Sequence, residues 1–202
     1  KMNTLGQGVL MGINKAVDLA EKNYKGMVIG NEGSHFSAGA NLGNSADNFW
    51  QLFPTDSLKS TNETIVKIVY NDTHLLIGIE ALAVDENFIV SSLKRDFSAR
   101  TNDNVTVLFD TFRDGQNAFL FGVSAYGVQR EGLISDRGAA INGFNLTWDT
   151  KWQSECIRFK DRFVIEMAIP FSSIKYPEGS QKWGFQTYRY DLQSNERSIW
   201  TN

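Results

Sequence analysis

Short runs of alternating hydrophobic and polar residues occupy much of this 202-residue chain. In the runs Asn104–Phe112 and Ala118–Tyr126, valines and phenylalanines take alternate positions. Alternation with period two is typical of β-strands that have one buried face. The Asp114-Gly115 pair between the two runs favours a tight hairpin turn. The two runs are therefore predicted to be neighbouring antiparallel strands.

Further runs with strand character follow the same pattern and are bounded by turn residues. They are Thr64–Tyr70, Leu75–Leu82, Arg162–Ile169 and Trp183–Tyr190. Many short strands with turn signals and almost no helical periodicity predict a mainly β fold, an antiparallel β-sandwich.

The composition of the chain changes near residue 43. The first 43 residues hold 8 of the 17 glycines but 2 of the 25 aromatic residues, and all five tryptophans come later. Such a shift indicates a domain boundary. We expect a short helix–strand fragment with a glycine-rich loop over 1–43, a linker over 44–48 and the sandwich over 49–202.

Charge and cysteine content exclude some classes of function. The formal net charge of −3 gives no basic surface for nucleic acid, so no nucleic-acid partner is expected. The chain has no run of 18 apolar residues, so no transmembrane helix is predicted. The single Cys156 excludes an internal disulfide framework.

A glycine-bounded apolar run, Gly26–Gly30, precedes the loop Phe36-Ser37-Ala38-Gly39-Ala40-Asn41-Leu42. This order resembles the crotonase family, the enoyl-CoA hydratases and isomerases. The resemblance implies that the backbone N–H of Ala40 is an oxyanion-hole donor and that this part belongs in the cytoplasm. The family's catalytic carboxylates have no counterpart after Gly43, so we predict no catalytic residue and no activity.

Residues 47–202 carry a longer series of motifs. Among them are Val69-Tyr70-Asn71-Asp72, Phe109-Asp110-Thr111-Phe112-Arg113-Asp114-Gly115, Trp148-Asp149-x-x-Trp152 and Glu166-Met167-Ala168-Ile169-Pro170-Phe171. The series resembles the family 9 carbohydrate-binding modules, and most of all a module at the start of bacterial proteins whose C-terminal part is thought to form an outer-membrane barrel. The resemblance implies a polysaccharide or oligosaccharide partner, an attached membrane barrel, and a location in the periplasm, outer membrane or cell surface.

Five residues are candidates for binding a sugar. Flat aromatic rings stack on the apolar faces of sugar rings, and planar polar groups bind the hydroxyls. Trp148 and Trp152 are the predicted stacking residues, and Arg130, Arg189 and Glu196 are the predicted hydroxyl partners. Two alternatives stay open: the tryptophans belong to the core, and Arg189 and Glu196 form a solvated ion pair.

Structural calcium is common in the family 9 modules. Asp103, Asp110, Asp114 and Asn117 carry the oxygen ligands that calcium prefers, and these four are the predicted metal ligands. For Asp114 and Asn117 the alternative is hydrogen bonding within a turn.

The leading functional hypothesis is a non-catalytic, extracytoplasmic carbohydrate-binding-like module. Two alternatives remain: an enoyl-CoA hydratase or isomerase fragment of a fatty-acid β-oxidation protein, and a structural or partner-binding domain of a barrel protein. Glu155 and Glu166 are predicted to be surface residues rather than a glycosidase pair. Because the two resemblances imply different compartments, we expect a chimeric or truncated reading frame.

Overall fold

The computed structural model describes residues 45–139, 143–179 and 182–200. The predicted helix, strand and glycine-rich loop of residues 1–43, with Ala40, lie outside the described residues. Twelve β-strands and three short 3₁₀ turns form the described part of the chain. None of its helical segments is long and apolar enough to cross a membrane.

All twelve strands pair antiparallel with their neighbours. Their bounds are β1 Ser45–Ala46, β2 Trp50–Phe53, β3 Thr64–Tyr70, β4 His74–Leu82, β5 Asn104–Asp110, β6 Ala118–Ser124, β7 Gln129–Ile134, β8 Phe144–Asn145, β9 Gln153–Arg158, β10 Arg162–Pro170, β11 Gly184–Asp191 and β12 Glu196–Trp200. The 3₁₀ turns are Ala99–Thr101, Asp136–Gly138 and Phe171–Ser173.

The strands form two sheets. One sheet has five strands in the order β1-β3-β4-β10-β9, and the other has seven in the order β2-β12-β11-β5-β6-β7-β8. The alternating residues of the sequence analysis meet between the sheets as a single hydrophobic core. Its largest fully buried hydrophobic side chains include Phe49, Ile79, Phe121, Phe163 and Ile165. The predicted mainly β antiparallel sandwich is confirmed.

Several strand ends differ from the sequence expectation. The strand predicted over Asn104–Phe112 ends at Asp110, because the next residue, Thr111, turns its hydroxyl to donate to the Lys175 carbonyl at 2.6 Å. Ser45 and Ala46, which the sequence assigned to the linker, form β1 and pair with β3. Ala46 is buried in the core, and this burial gives the segment a reason to join the sheet.

Candidate functional site

The side of the seven-stranded sheet that points away from the hydrophobic core carries a row of side chains that cross four strands; two of them, Thr106 and Arg130, are buried, at 0% and 7% exposure. Tyr188 in β11 lies opposite Thr106 in β5, Thr106 opposite Gly122 in β6, and Gly122 opposite Arg130 in β7. Neighbouring residues of these strands, such as Val105 and Phe121, point the other way into the core. Paired residues share a face of the sheet, so these four lie together on the surface that we call the outer face.

Arg130 spans this row and reaches the tyrosine at its far end. Its Nη1 donates to the hydroxyl oxygen of Tyr188 over 3.2 Å. Since β7 and β11 are three strand spacings apart, about 14 Å, the two side chains lie flat over Gly122 and Thr106. A Cβ atom at Gly122 would be 2.6 Å from the Thr106 Oγ1. A larger residue at position 122 would therefore force the Thr106 side chain to move.

A second row extends the outer face toward β12 and β2. The rings of Tyr188 and Tyr190 are 5.9 Å apart, edge to face at 84°. Arg197 lies opposite Tyr190, and Ile199 lies opposite Tyr188. Trp50, in the edge strand β2, pairs with Ile199 and is 40% exposed. The outer face thus combines aromatic rings with two guanidinium groups.

Arg189 and Glu196, two of the predicted sugar ligands, lie on the opposite side of the same sheet and face the five-stranded sheet. The Arg189 side chain is 2% exposed and pairs with Asp191 at 3.2 Å. It also donates to the Thr64 hydroxyl at 3.0 Å and to the Leu82 carbonyl. Burial lowers the pKa of Arg189 below its ordinary value, and Asp191 opposes that shift. The guanidinium joins the two sheets from within.

Glu196 is also buried, and its carboxylate has partners other than Arg189. Its Oε2 accepts hydrogen bonds from the Gln51 amide and from the Thr61 backbone N–H, both at 3.0 Å. These contacts fix the entry and exit of the β2 segment. Of the three predicted hydroxyl partners, the structure places Arg130 on the outer face and the other two between the sheets.

The two predicted stacking tryptophans pack against the core. Trp148 lies 5.4 Å from the Phe119 ring and 6.1 Å from the Phe121 ring, and Trp152 lies 5.3 Å from Phe121. Trp152 is 7% exposed. It also lines a shallow depression of about 350 Å³, together with His74, Arg95, Thr150, Lys151, Gln153, Ala168 and Pro170. The stacking role of these tryptophans stays a prediction.

The predicted calcium ligands fall into two separate places. Asp103 precedes β5 and Asp110 ends it, about 23 Å apart at the rise of a strand, so they do not share an ion. Asp103 accepts the backbone N–H groups of Ile89 and Leu192, each at 2.6 Å. Burial nevertheless raises the pKa of Asp103. Its carboxylate ties two loops to the start of β5.

Asp110, Asp114 and Asn117 meet in the β5–β6 hairpin. Asp110 accepts the Gly115 N–H at 2.8 Å, and Asp114 accepts the backbone N–H of Asn117 at 2.8 Å. The Asn117 side-chain amide donates a hydrogen bond to Asp114 at 2.6 Å. Of the hydrogen bonds that hold the pKa of Asp114 below its ordinary value, this one has the largest effect. Over the ranges described above, no group of three or more His, Cys, Asp or Glu side chains could hold a metal ion. Calcium binding stays a prediction, and the contacts present are those of a turn.

Two solved structures have folds similar to that of this chain. A Bacteroides uniformis ATCC 8492 protein assigned to carbohydrate binding superposes with a TM-score of 0.59, at 12% identity, over 78% of this chain and 76% of that one. A family 9 carbohydrate-binding module from Caldicellulosiruptor kristjanssonii, solved with glucose, gives 0.51 at 16% identity, over 87% of this chain and 81% of that one. The fold is that of a carbohydrate-binding module. No family model matches the sequence.

A curated sequence relative is of another kind. The Bacillus subtilis (strain 168) protein named "Probable 3-hydroxyacyl-CoA dehydrogenase" is 37% identical over a 76-residue alignment that covers 35% of this chain. The chain spans 9% of the length of that protein.

Of the residues on the outer face, the sequence analysis named Arg130 as a candidate ligand and did not name Trp50, Tyr188, Tyr190 or Arg197; the ligand role of Arg130 stays a prediction. A signal for the tyrosines was present in the sequence, because Tyr188 and Tyr190 flank Arg189 and must point away from it in a strand. What was missing was which of the two sides of this carbohydrate-binding-module fold faces solvent.

Proposed function

We propose that this chain is a non-catalytic carbohydrate-binding module of an extracytoplasmic, polysaccharide-related protein, and that the outer face of the seven-stranded sheet binds the sugar. The observation that carries the proposal is the combination on that face of Trp50, Tyr188 and Tyr190 with Arg130 and Arg197. Aromatic rings offer flat apolar surfaces for sugar rings, and guanidinium groups offer planar sets of donors for their oxygens. The attachment to a membrane barrel stays a prediction.

The fold supports the same proposal. The sandwich resembles a module that was solved with glucose, although identity of 16% carries no residue of that site over to this chain. The fold alone does not define a binding surface, whereas the aromatic rings and guanidinium groups of the outer face are suited to contact a sugar. The extracytoplasmic location is proposed from the similarity of the fold to carbohydrate-binding modules.

The non-catalytic part of the proposal rests on where the carboxylates lie. Glu155 and Glu166 face each other across β9 and β10, on the solvent side of the five-stranded sheet. Their Cβ atoms are about 5 Å apart, as in other cross-strand pairs. They lie on the far side of the sandwich from the outer face, so they do not reach a sugar bound there.

A pair of tyrosine variants tests the proposed site. Gels containing soluble polysaccharides identify those that retard the 202-residue chain, and calorimetry with the retarding polymer gives its affinity. Tyr190→Ala should weaken binding at least fivefold, about 1 kcal/mol, because a stacking ring is lost. Tyr70→Ala is the matched control, since Tyr70 is 66% exposed on β3 of the other sheet.

Two results would contradict the proposal. If no polysaccharide retards the chain, carbohydrate binding is wrong. If Tyr190→Ala binds as tightly as the unmodified chain, or Tyr70→Ala loses as much, the binding site lies away from the outer face.

A second candidate function is acyl-CoA chemistry, which the Phe36–Leu42 loop and the dehydrogenase relative favour. That loop lies outside the described residues. We expect no hydration of crotonyl-CoA by this chain, because the sequence after Gly43 lacks the family's carboxylates. Measured turnover above the uncatalysed rate would favour this second function instead.

A further inference from the structure

Among the described residues, the two arginines of the outer face have no carboxylate partner. Arg130 is 7% exposed, and the partner of its guanidinium is the neutral hydroxyl of Tyr188. The Nε atoms of Arg130 and of Arg197 are both buried without a hydrogen-bond partner. Neither side chain takes part in an ion pair within the described residues. Within the part of the chain that the structure describes, the face therefore holds two positive charges that no carboxylate neutralises.

The carboxylates of the same sheet are engaged elsewhere. Its strands carry four acidic residues, Asp110, Glu131, Asp191 and Glu196. Glu131 pairs with Arg95, Asp191 pairs with Arg189, and Glu196 accepts from Gln51, all of them between the sheets. Asp110 is on the outer side, but at the hairpin end, where it accepts the backbone N–H groups of Asp114 and Gly115.

This distribution of arginines and carboxylates indicates what kind of ligand the outer face would bind. A buried charge without a partner is costly, and buried N–H groups are nearly always hydrogen-bonded. A guanidinium group fits a carboxylate through two parallel hydrogen bonds, a stronger match than it makes with a neutral hydroxyl. The other buried arginine of the described residues, Arg189, does pair with a carboxylate, that of Asp191.

We propose that the glycan bound by the outer face carries carboxylate groups, that is, uronic acid residues, and that Arg130 and Arg197 bind them. The inference rests on the proposed function and narrows its ligand class. The Tyr188 hydroxyl is the group that a sugar carboxylate replaces at Arg130, while the rings of Tyr188 and Tyr190 contact the sugar. The chain's net charge of −3 opposes non-specific attraction to a polyanion, so binding to one requires a local site.

The test compares each acidic polymer with its own neutral form. Galacturonan, glucuronoxylan and mannuronan are each used untreated and after reduction of their carboxyl groups to primary alcohols, with neutral glucan and galactan alongside. We expect at least one acidic polymer to bind at least tenfold more tightly than its reduced form. Arg130→Gln should lower that preference at least fivefold, and so should Arg197→Gln, the second variant if the first does not fold.

Arg162→Gln is the matched control. Arg162 lies on the five-stranded sheet, paired with Glu80 and Asp161, so its loss changes the net charge equally but should leave the preference unchanged. Circular dichroism and thermal unfolding establish that each variant is folded.

The outcomes of this experiment distinguish a failure of the inference from a failure of the proposed function. Equal or tighter binding to the reduced or neutral polymers overturns the inference and leaves carbohydrate binding intact. An acidic preference that both outer-face variants retain, or that Arg162→Gln also loses, overturns the roles of Arg130 and Arg197. Binding to none of the polymers, acidic or neutral, contradicts the proposed function itself.

Discussion

At the scale of single residues, the arginines of this sandwich differ by what surrounds them. Arg189 is buried between the sheets, with Asp191 and backbone carbonyls as partners. Arg162 lies in the partly exposed pair with Glu80 at 3.1 Å. Removing one member of a buried pair leaves the other charged and unpaired, whereas an exposed pair contributes little. Arg189 should therefore contribute strongly to stability, whereas Arg162 should contribute little.

Arg189→Gln should lower the free energy of unfolding by about 3–5 kcal/mol, because it leaves the Asp191 carboxylate buried without its cation. Arg162→Gln, the control, should change it by less than about 1 kcal/mol. Urea unfolding followed by tryptophan fluorescence measures both. Glycan affinity of the folded Arg189→Gln protein should stay unchanged; a loss of affinity without a loss of stability would restore Arg189 as a ligand residue.

Glu166 makes the stability depend on pH. Burial, and then the charge of Glu155 opposite it, raises the pKa of Glu166 above its ordinary value. A folded-state pKa above the unfolded one favours folding while the group is protonated, and that gain is lost as the pH rises through the folded pKa. Glu166→Gln should therefore raise the melting temperature at pH 7, and the difference should vanish below the ordinary glutamate pKa. Equal melting temperatures of the two proteins at pH 7 would contradict the pKa shift.

At the scale of elements, the strands show what alternation can and cannot predict. The period-two pattern predicted β3 with its observed bounds and the β5–β6 hairpin, because one face of each is mostly apolar. It did not single out β7, whose buried residues include Arg130 and Glu131, nor the five-residue β12, which begins with a buried carboxylate. These strands are stabilised by partners distant in sequence, such as Arg95 for Glu131, and a local pattern does not contain them.

Gly122→Ala tests the close packing under the Arg130–Tyr188 bridge. The added Cβ would meet the Thr106 Oγ1 at 2.6 Å, so we expect a loss of about 1–3 kcal/mol in unfolding free energy, as for other overpacked sites. Gly78→Ala is the control, since a Cβ there meets no atom within 4 Å. Thermal and urea unfolding measure both. Adding Thr106→Ala should recover part of the loss, and equal stability of the two glycine variants would contradict the packing.

At the scale of the whole molecule, the sequence was sufficient for the fold and insufficient for the site. Motif order and alternation predicted an antiparallel sandwich, since both reflect which residues are buried. The predicted ligand set was chosen by residue type, and the fold divides that set: the side chain of Arg130 lies on the outer face, while those of Arg189, Glu196 and Trp152 lie on the core side of the sheet, although all four are buried. From hydrophobicity alone, the tyrosines of β11 would be expected to face the core. Instead, Arg189 and Asp191 face the core, where they form an ion pair.

The central claim is that the outer face of the seven-stranded sheet is the carbohydrate surface. Its most direct test is the backbone amide chemical shifts of the isotopically labelled chain, recorded while an oligosaccharide from a retarding polymer is added. We predict that the largest changes fall on β11, β5, β6, β7 and β12, around Tyr188, Tyr190, Arg130 and Arg197. Changes concentrated instead at the depression of His74, Lys151 and Trp152, with β11 and β12 unaffected, would contradict the claim.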